Sequence, residues 1–367
     1  MQKQLTSRQT GLILLVAIIS NKLLLLPGIL SFGAKNDAWI VVLFSFVIDF
    51  LFLLLFLHLA NKIDEPLFLF LQKKYGKAVA ICFAIPVCIT FAFKCVDIFG
   101  ECYLFFDQVM YVNVNQMIFM SCFIFMILYL GSRSWRTLGR TCELLFFVFA
   151  VSLFLSFYMS INSVNLSNIL PFFSIRPNNL FSVILKNNLW FGDFVIMFLL
   201  VGNIKIEKNT NSHIMISYFA GEAVVLLFVV IFICVFGRTS AIHKMAIIDI
   251  TENAPRITTE GRLNWMIDLI FPLVNILGLG IFANAGTKSL EYCLPKKIST
   301  NIVSVIIFAG IVCSFALISN ISYPNLYKIL SEFACYVSVI TQYILPIFLL
   351  ILCQKGELFY DKKVAVK

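Results

Sequence analysis

Ten apolar stretches follow one another along this chain, separated by short polar connections. Each is close to the roughly 20 residues that an α-helix needs to cross the hydrocarbon core of a bilayer. Hydrophobic residues make up 60% of the sequence and charged residues 13%, against about 45–50% and about 25% in soluble proteins. The sequence therefore predicts an all-α integral membrane protein. The ten predicted spans are residues 11–31, 38–60, 78–106, 113–131, 142–160, 188–204, 214–237, 263–286, 299–319 and 332–354.

Cysteines and basic residues exclude several other classes of protein. The eleven cysteines lie almost entirely inside apolar stretches, and no CxxC pair occurs. Cysteine in such surroundings is a small apolar side chain, so the pattern indicates neither a disulfide framework nor a metal site. The net charge of +9 comes from basic residues in the short connections. That distribution indicates a lipid bilayer as the partner and no nucleic acid.

The basic residues also predict an orientation. Lys and Arg divide 18 to 8 between the two sets of connections, and the richer set includes both termini. Because cytoplasmic loops carry the excess of positive charge, both termini are expected in the cytoplasm. Ten spans divide into two halves of five that enter the membrane from opposite sides, as an inverted repeat requires. We expect one transmembrane domain, 1–367, with repeat one at 11–160, repeat two at 188–354 and a cytoplasmic tail at 355–367.

Predicted span 1 is interrupted near its midpoint by Ser20, Asn21 and Lys22, and Pro27-Gly28 follows shortly after. Proline removes a backbone donor and clashes with the preceding turn. A broken helix at mid-depth is tolerated only where the freed backbone faces protein or a wet cavity. The pattern fits either a ligand site at an unwound segment or a simple proline kink packed against a neighbour.

Predicted span 3 carries a polar stripe formed by Thr90, Lys94, Asp97 and Glu101. The spacing places all four residues on one helical face, where Lys94 can pair with Asp97. Polar groups at membrane depth mark functional sites by default. The stripe fits a proton relay, an ion path or a site for a ligand ammonium, and it equally fits a neutralised structural network.

Predicted spans 6 and 8 carry the remaining polar candidates. Gly192-Asp193 lies near the outer end of span 6, so that helix is expected to be interrupted too. Asp193 fits a partner for a cation or for Lys22, or an interfacial helix cap. Asn275 lies in span 8, and the following run from Gly278 to Ala283 matches GxGxxA. No strand precedes that run, so we interpret its small residues as positions of close helix packing.

The sequence contains no catalytic constellation. Its three histidines lie far apart at or beyond the ends of predicted helices, and no HExxH, GxSxG or P-loop motif occurs. The missing set argues against an enzyme and against a cofactor. The ligand-binding residues expected from the interrupted spans and the stripe are Ser20, Asn21, Lys22, Gly28, Thr90, Lys94, Asp97, Gly192, Asp193 and Asn275, with Lys94, Asp97 and Glu101 as the expected proton or ion relay.

One segment resembles a known family. Residues 131–150, GSRSWRTLGRTCELLFFVFA, resemble the stretch before helix 5 of endospore germination permeases, the B subunits of spore germinant receptors. In that family an Arg-rich cytoplasmic loop and a Glu lead into helix 5, here Arg136, Arg140 and Glu143. The opening residues 5–10, LTSRQT, are similar to the start of the same family, and the resemblance covers essentially the whole chain.

The resemblance implies a fold and a function. The family belongs to the amino acid–polyamine–organocation superfamily, whose LeuT-like fold is a five-plus-five inverted repeat with helices 1 and 6 broken. It implies a sensor that binds a small nutrient such as an amino acid in the inner membrane of the spore. Its implied partners are a multi-span A subunit and a lipoprotein C subunit. The alternative is a proton-coupled amino acid transporter of the same superfamily.

A lysine in the break of helix 1 is not part of the family pattern. Lys22 is therefore expected either to meet a ligand carboxylate or phosphate, or to serve as an internal counter-ion that makes binding depend on Asp193 or Asp97.

Overall fold

The computed structural model of the protein describes residues 5–63, 65–110, 115–205, 209–252, 261–295, 301–320 and 324–353. The predicted tail, 355–367, lies outside the described residues. The regular secondary structure of the described residues is helical, with no strand beyond an isolated bridge between Leu5 and Ile204. The α-helices are α1 (Ser7–Ser20), α2 (Leu26–Ala34), α3 (Ala38–Ala60), α4 (Leu67–Tyr75), α5 (Lys77–Phe105), α6 (Gln116–Gly131), α7 (Trp135–Ser160), α8 (Pro177–Lys186), α9 (Met197–Leu200), α10 (Thr210–Phe236), α11 (Ala246–Glu252), α12 (Gly261–Cys293), α13 (Asn301–Asn320) and α14 (Pro324–Val339).

Length and apolar composition identify six membrane-crossing segments among the described residues. Two further apolar helices, α1 and α6, are shorter. The protein is therefore an all-α, multi-pass membrane protein, and the ten-span layout stays a prediction. The six segments are Leu26–Ala60, Lys77–Val109, Trp135–Ser163, Thr210–Thr239, Asn301–Ile318 and Ile329–Cys353.

Predicted span 1 is two helices separated by an unwound segment. α1 starts at a capping box, in which the Thr6 side chain accepts from the backbone of Gln9 and the Gln9 side chain accepts from that of Thr6. It ends at Ser20, and helix resumes at Leu26 with Pro27 in its first turn, where a missing N–H costs nothing. The predicted break is confirmed, and regular helix is absent from residues 21–25.

The segment predicted as span 6 is not a continuous helix either. α8 precedes it, inside the stretch expected to connect the two halves. Single turns of 3₁₀ helix at Asn188–Trp190 and Asp193–Ile196 flank Gly192, whose φ is +74°. Only the four residues of α9 are α-helical in the remainder. The expected interruption at Gly192-Asp193 is present, but the regular helix predicted over 188–204 is wrong, since a left-handed glycine and the 3₁₀ turns replace it.

Helices α1, α5 and α12 surround the two breaks. Gly278 of α12 lies against Ser20, and a Cβ at that glycine would overlap the serine side chain. The GxGxxA run therefore supports close helix packing at Gly278, as interpreted from the sequence. At the other end of α1, the backbone of Leu5 exchanges hydrogen bonds with Asn203 and Lys205, each 2.9 Å long. These contacts hold the start of α1 beside the end of the broken segment.

Candidate functional site

The two broken segments meet through a buried ion pair. The Lys22 ammonium, in the break after α1, donates to Oδ2 of Asp193, which follows the left-handed Gly192. Of the alternatives left open for Asp193, the structure shows the pairing with Lys22. The side chain of Lys22 is 0% exposed and that of Asp193 is 1% exposed. Removal of either charge would therefore leave the other buried with one partner fewer, which is costly.

A second lysine shares the same carboxylate. Nζ of Lys94 lies 2.7 Å from Oδ1 of Asp193 and 2.9 Å from the carbonyl oxygen of Phe191. It also stands 5.3 Å from the ring centroid of Phe282 in α12, within cation–π range. Asp193 therefore takes one ammonium on each oxygen, from α5 and from the break after α1. We call Lys22, Lys94 and Asp193 the ion cluster.

Asp49 of α3 belongs to the same site, although it was not among the residues expected from the sequence. Its Oδ2 accepts a 2.7 Å hydrogen bond from the backbone N–H of Gly192. Its Oδ1 has no hydrogen-bond partner among the described residues. The only sequence signal for Asp49 was a carboxylate in an apolar helix. That signal does not predict which distant backbone group the carboxylate will bond.

Glu101, one end of the stripe on α5, reaches the other side of the helix 1 break. Its Oε1 accepts from the N–H of Leu25 at 3.4 Å, immediately before α2. The Asn275 side chain in α12 donates to the second oxygen at 3.4 Å. The start of a helix carries unpaired N–H groups and a partial positive charge. Glu101 therefore places a carboxylate at the N-terminus of α2.

Further hydrogen bonds pair carbonyl groups at and beside the break. Nζ of Lys22 lies 3.1 Å from the carbonyl oxygen of Ile18 and 3.4 Å from Oδ1 of Asn21. The N–H of Ala246, which begins α11, donates to Leu24 at 2.9 Å. Backbone polar groups freed by a break inside a membrane need such partners. The Lys22 side chain and α11 supply such partners for the carbonyl oxygens of Ile18 and Leu24.

Polar residues of the π-helical turn Ile340–Ile344, which follows α14, complete the wall beside Phe191. Thr341 accepts a 3.0 Å hydrogen bond from Thr90, and Gln342 donates to the carbonyl oxygens of Asn188 and Phe191 at 3.1 and 3.0 Å. Sequence reasoning predicted Thr90 and missed Thr341 and Gln342. π-helical turns often occur at functional sites, but no pattern in this apolar sequence predicts one.

Two predicted site residues lie apart from the ion cluster. Asp97 does not form the expected ion pair with Lys94, because the ammonium of Lys94 bonds to Asp193, and Oδ2 of Asp97 has no described partner. Gly28 packs against the backbone of His243, where a Cβ would overlap the carbonyl oxygen. The absence of a side chain at Gly28 therefore leaves room for the segment that precedes α11.

The site presents charged side chains at the ends of two broken helices. Within the described residues, no group of three His, Cys, Asp or Glu side chains has the arrangement to hold a metal ion. The available chemistry is that of ammonium and carboxylate groups exchanging partners in a dry environment, where such pairs are strong and costly to separate.

Comparison with known proteins identifies the family of the chain. No curated protein matches the sequence closely enough to serve as a relative. The sequence model of a family described as spore germination protein matches residues 4–323, which include both breaks and the ion cluster. The chain belongs to the spore germination protein family.

Proposed function

We propose that this protein is the nutrient-sensing transmembrane subunit of a spore germinant receptor. It binds a small zwitterion, such as an amino acid, at mid-membrane and thereby triggers germination. The observation that carries the proposal is the meeting of two helix breaks at Lys22 and Asp193. Broken helices that face each other across a membrane protein present backbone donors and acceptors to a ligand with both charges.

The proposal includes a five-plus-five, LeuT-like arrangement of ten spans with both termini in the cytoplasm. Its support is the position of the breaks, which fall in the first predicted span of each half. The 18 to 8 division of Lys and Arg supports the orientation. The inner membrane of the spore is the proposed location, with an A subunit and a lipoprotein C subunit as the proposed partners.

The proposed mechanism uses the groups that now fill the breaks. Lys22 puts an ammonium on the carbonyl of Ile18 and on Asp193, and Glu101 puts a carboxylate at the start of α2. A zwitterionic nutrient carries the same two groups. We propose that its ammonium takes the place of Lys22 and its carboxylate that of Glu101. The displaced side chains then release α2 and α5 from their present contacts, and this shift of population is the signal.

Nutrient dose response in spores tests the proposal. Spores that carry the wild-type chain or Glu101→Gln are exposed to a panel of amino acids, sugars and nucleosides, and germination is followed by loss of optical density. The amide still accepts from Leu25 but lacks the charge, so we expect half-maximal germination at a concentration lower by about tenfold. Glu65→Gln, in an exposed pair with Lys73, is the control and should leave the response unchanged.

Immunoblots of the same spores measure the abundance of each variant. A panel that produces no response through the wild-type chain would contradict the receptor assignment. An unchanged response in Glu101→Gln at normal abundance would remove Glu101 from the ligand site.

A proton-coupled amino acid transporter is the second candidate function. The observation in its favour is that Asp49, Asp97 and Glu222 each have one buried oxygen without a hydrogen-bond partner among the described residues. Such oxygens can accept a proton at membrane depth. Uptake of labelled amino acids into proteoliposomes with an imposed pH gradient tests this candidate. Uptake that depends on the gradient supports transport, and binding without uptake supports the receptor.

A further inference from the structure

A cavity of about 470 Å³ lies at the end of the bundle where α7 begins. Its volume is within the range of about 300–1,000 Å³ that small-molecule sites occupy. The aromatic cluster of Phe68, Phe198 and Tyr292 forms its apolar wall, with ring centroids 6.2 Å apart for Phe68 and Phe198 and 5.2 Å apart for Phe68 and Tyr292. None of Lys22, Lys94 and Asp193 is among its lining residues, so this cavity is a different site from the ion cluster.

Positive charge dominates the polar side of the cavity. Arg133, Arg136 and Lys288 line it, and Glu291 is the one carboxylate among its described lining residues. Glu291 already lies 2.9 Å from Lys288. Arg136 is half-buried and makes no ion pair or hydrogen bond with a described residue. The cavity thus carries an excess of positive charge and a guanidinium with unused donors.

The loop that carries Arg133 is held in a fixed shape. The Asn284 side chain of α12 donates to the carbonyl oxygens of Gly131 and Arg133. That of Asn301 donates to the carbonyl oxygen of Ser132 at 3.1 Å. Ser134 caps α7 by accepting from Thr137 at 3.2 Å. The carbonyl oxygens of this loop are therefore bonded to α12 and α13. The basic side chains and the positive end of the 26-residue helix α7 face the cavity.

We propose that this basic cavity binds a phosphate group. The planar guanidinium of Arg136 matches phosphate oxygens through two parallel N–H donors, and Lys288 and Arg133 add positive charge around them. The phosphate comes either from a soluble anion or from the headgroup of an anionic lipid, since both present the same oxygens. This site goes beyond the nutrient site and does not depend on it.

Calorimetric titration of the purified full-length chain in phosphatidylcholine nanodiscs tests the site. The two probes are pyrophosphate and a short-chain phosphatidylglycerol. We expect saturable binding of one of them, weakened about tenfold in Arg136→Gln by the loss of a charge-assisted contact. Arg136→Lys keeps the positive charge but lacks the two parallel N–H donors of the guanidinium. Its affinity should lie between those of the wild type and Arg136→Gln. Arg140→Gln, an exposed arginine of the same helix outside the lining, is the matched control and should bind as the wild type does.

The probe that binds identifies the source of the phosphate. Pyrophosphate binding that survives in nanodiscs rich in anionic lipid identifies a soluble anion, and competition by that lipid identifies a headgroup. Binding of neither probe would overturn the proposal, as would an equal loss in Arg136→Gln and Arg140→Gln. Melting temperatures of the variants, expected to equal that of the wild type, show that each is folded.

Discussion

The ion cluster and the basic cavity both combine basic side chains with one carboxylate, but the charges are paired and buried in the first and largely unpaired in the second. In the ion cluster, two lysines with no exposed surface share the carboxylate of Asp193. In the cavity, three basic residues surround open space and one carboxylate, and Arg136 has no described partner. A buried charge must be neutralised within the protein, whereas a charge beside water needs no partner. We therefore expect removal of the shared carboxylate in the cluster to change folding, and substitutions in the cavity to change binding alone.

The largest effect is expected from Asp193→Asn. This substitution leaves Lys22 and Lys94 buried without a carboxylate, and breaking a buried pair from one side costs about 3–5 kcal/mol. We expect little folded protein in the membrane, measured by immunoblot and by thermal unfolding of the purified chain. Lys22→Met leaves the pair of Lys94 and Asp193 intact, so it should be much milder. Equal abundance of the two variants would contradict the sharing of one carboxylate.

A smaller loss of stability is expected from Gly192→Ala. The residue has φ of +74°, and an added Cβ would overlap the side chain of Gln342. A left-handed alanine costs about 1–2 kcal/mol before any overlap. Thermal unfolding of Gly192→Ala, Gln342→Ala and the double variant separates the two causes. The double variant should recover the part due to overlap, and no recovery would place the whole cost in the backbone.

Lys22→Met is expected to change the nutrient response more than the stability. Removing this ammonium exposes the carbonyl of Ile18 and one oxygen of Asp193 to the ammonium of the ligand. Half-maximal germination should then occur at a concentration lower by about tenfold, the equivalent of about 1.4 kcal/mol. Spore dose response checks this expectation. A higher concentration requirement at normal abundance would mean that Lys22 contacts the ligand directly.

The smallest effect on stability is expected in the cavity. Arg136 is half-buried and unpaired among the described residues, so Arg136→Gln should change the free energy of unfolding by less than about 0.5 kcal/mol. Chemical unfolding of the purified chain measures the difference from the wild type. A loss comparable to that in the ion cluster would show that Arg136 has a structural partner.

Local signals predicted the breaks, and only tertiary packing decided their partners. Ser20, Asn21, Lys22 and Pro27 interrupt an apolar helix within a few residues, so the sequence alone predicted the break in predicted span 1. Gly192-Asp193 was a similar signal. Asp49 lies 143 residues from Gly192 in the chain, and a lone acid in an apolar helix contains no information about so distant a partner. The predicted pairing of Lys94 with Asp97 is wrong for the same reason, because Lys94 bonds to Asp193 of a distant segment instead.

Direct binding of a nutrient to the purified chain tests the proposed site most plainly. The measurement is equilibrium binding of a radiolabelled amino acid that germinates wild-type spores, compared among the wild type, Lys22→Met and Arg136→Gln in nanodiscs. The site between the helix breaks predicts tighter binding in Lys22→Met, by about tenfold, and unchanged binding in Arg136→Gln. Loss of binding in Arg136→Gln together with unchanged binding in Lys22→Met would contradict a nutrient site at the ion cluster and place it in the basic cavity.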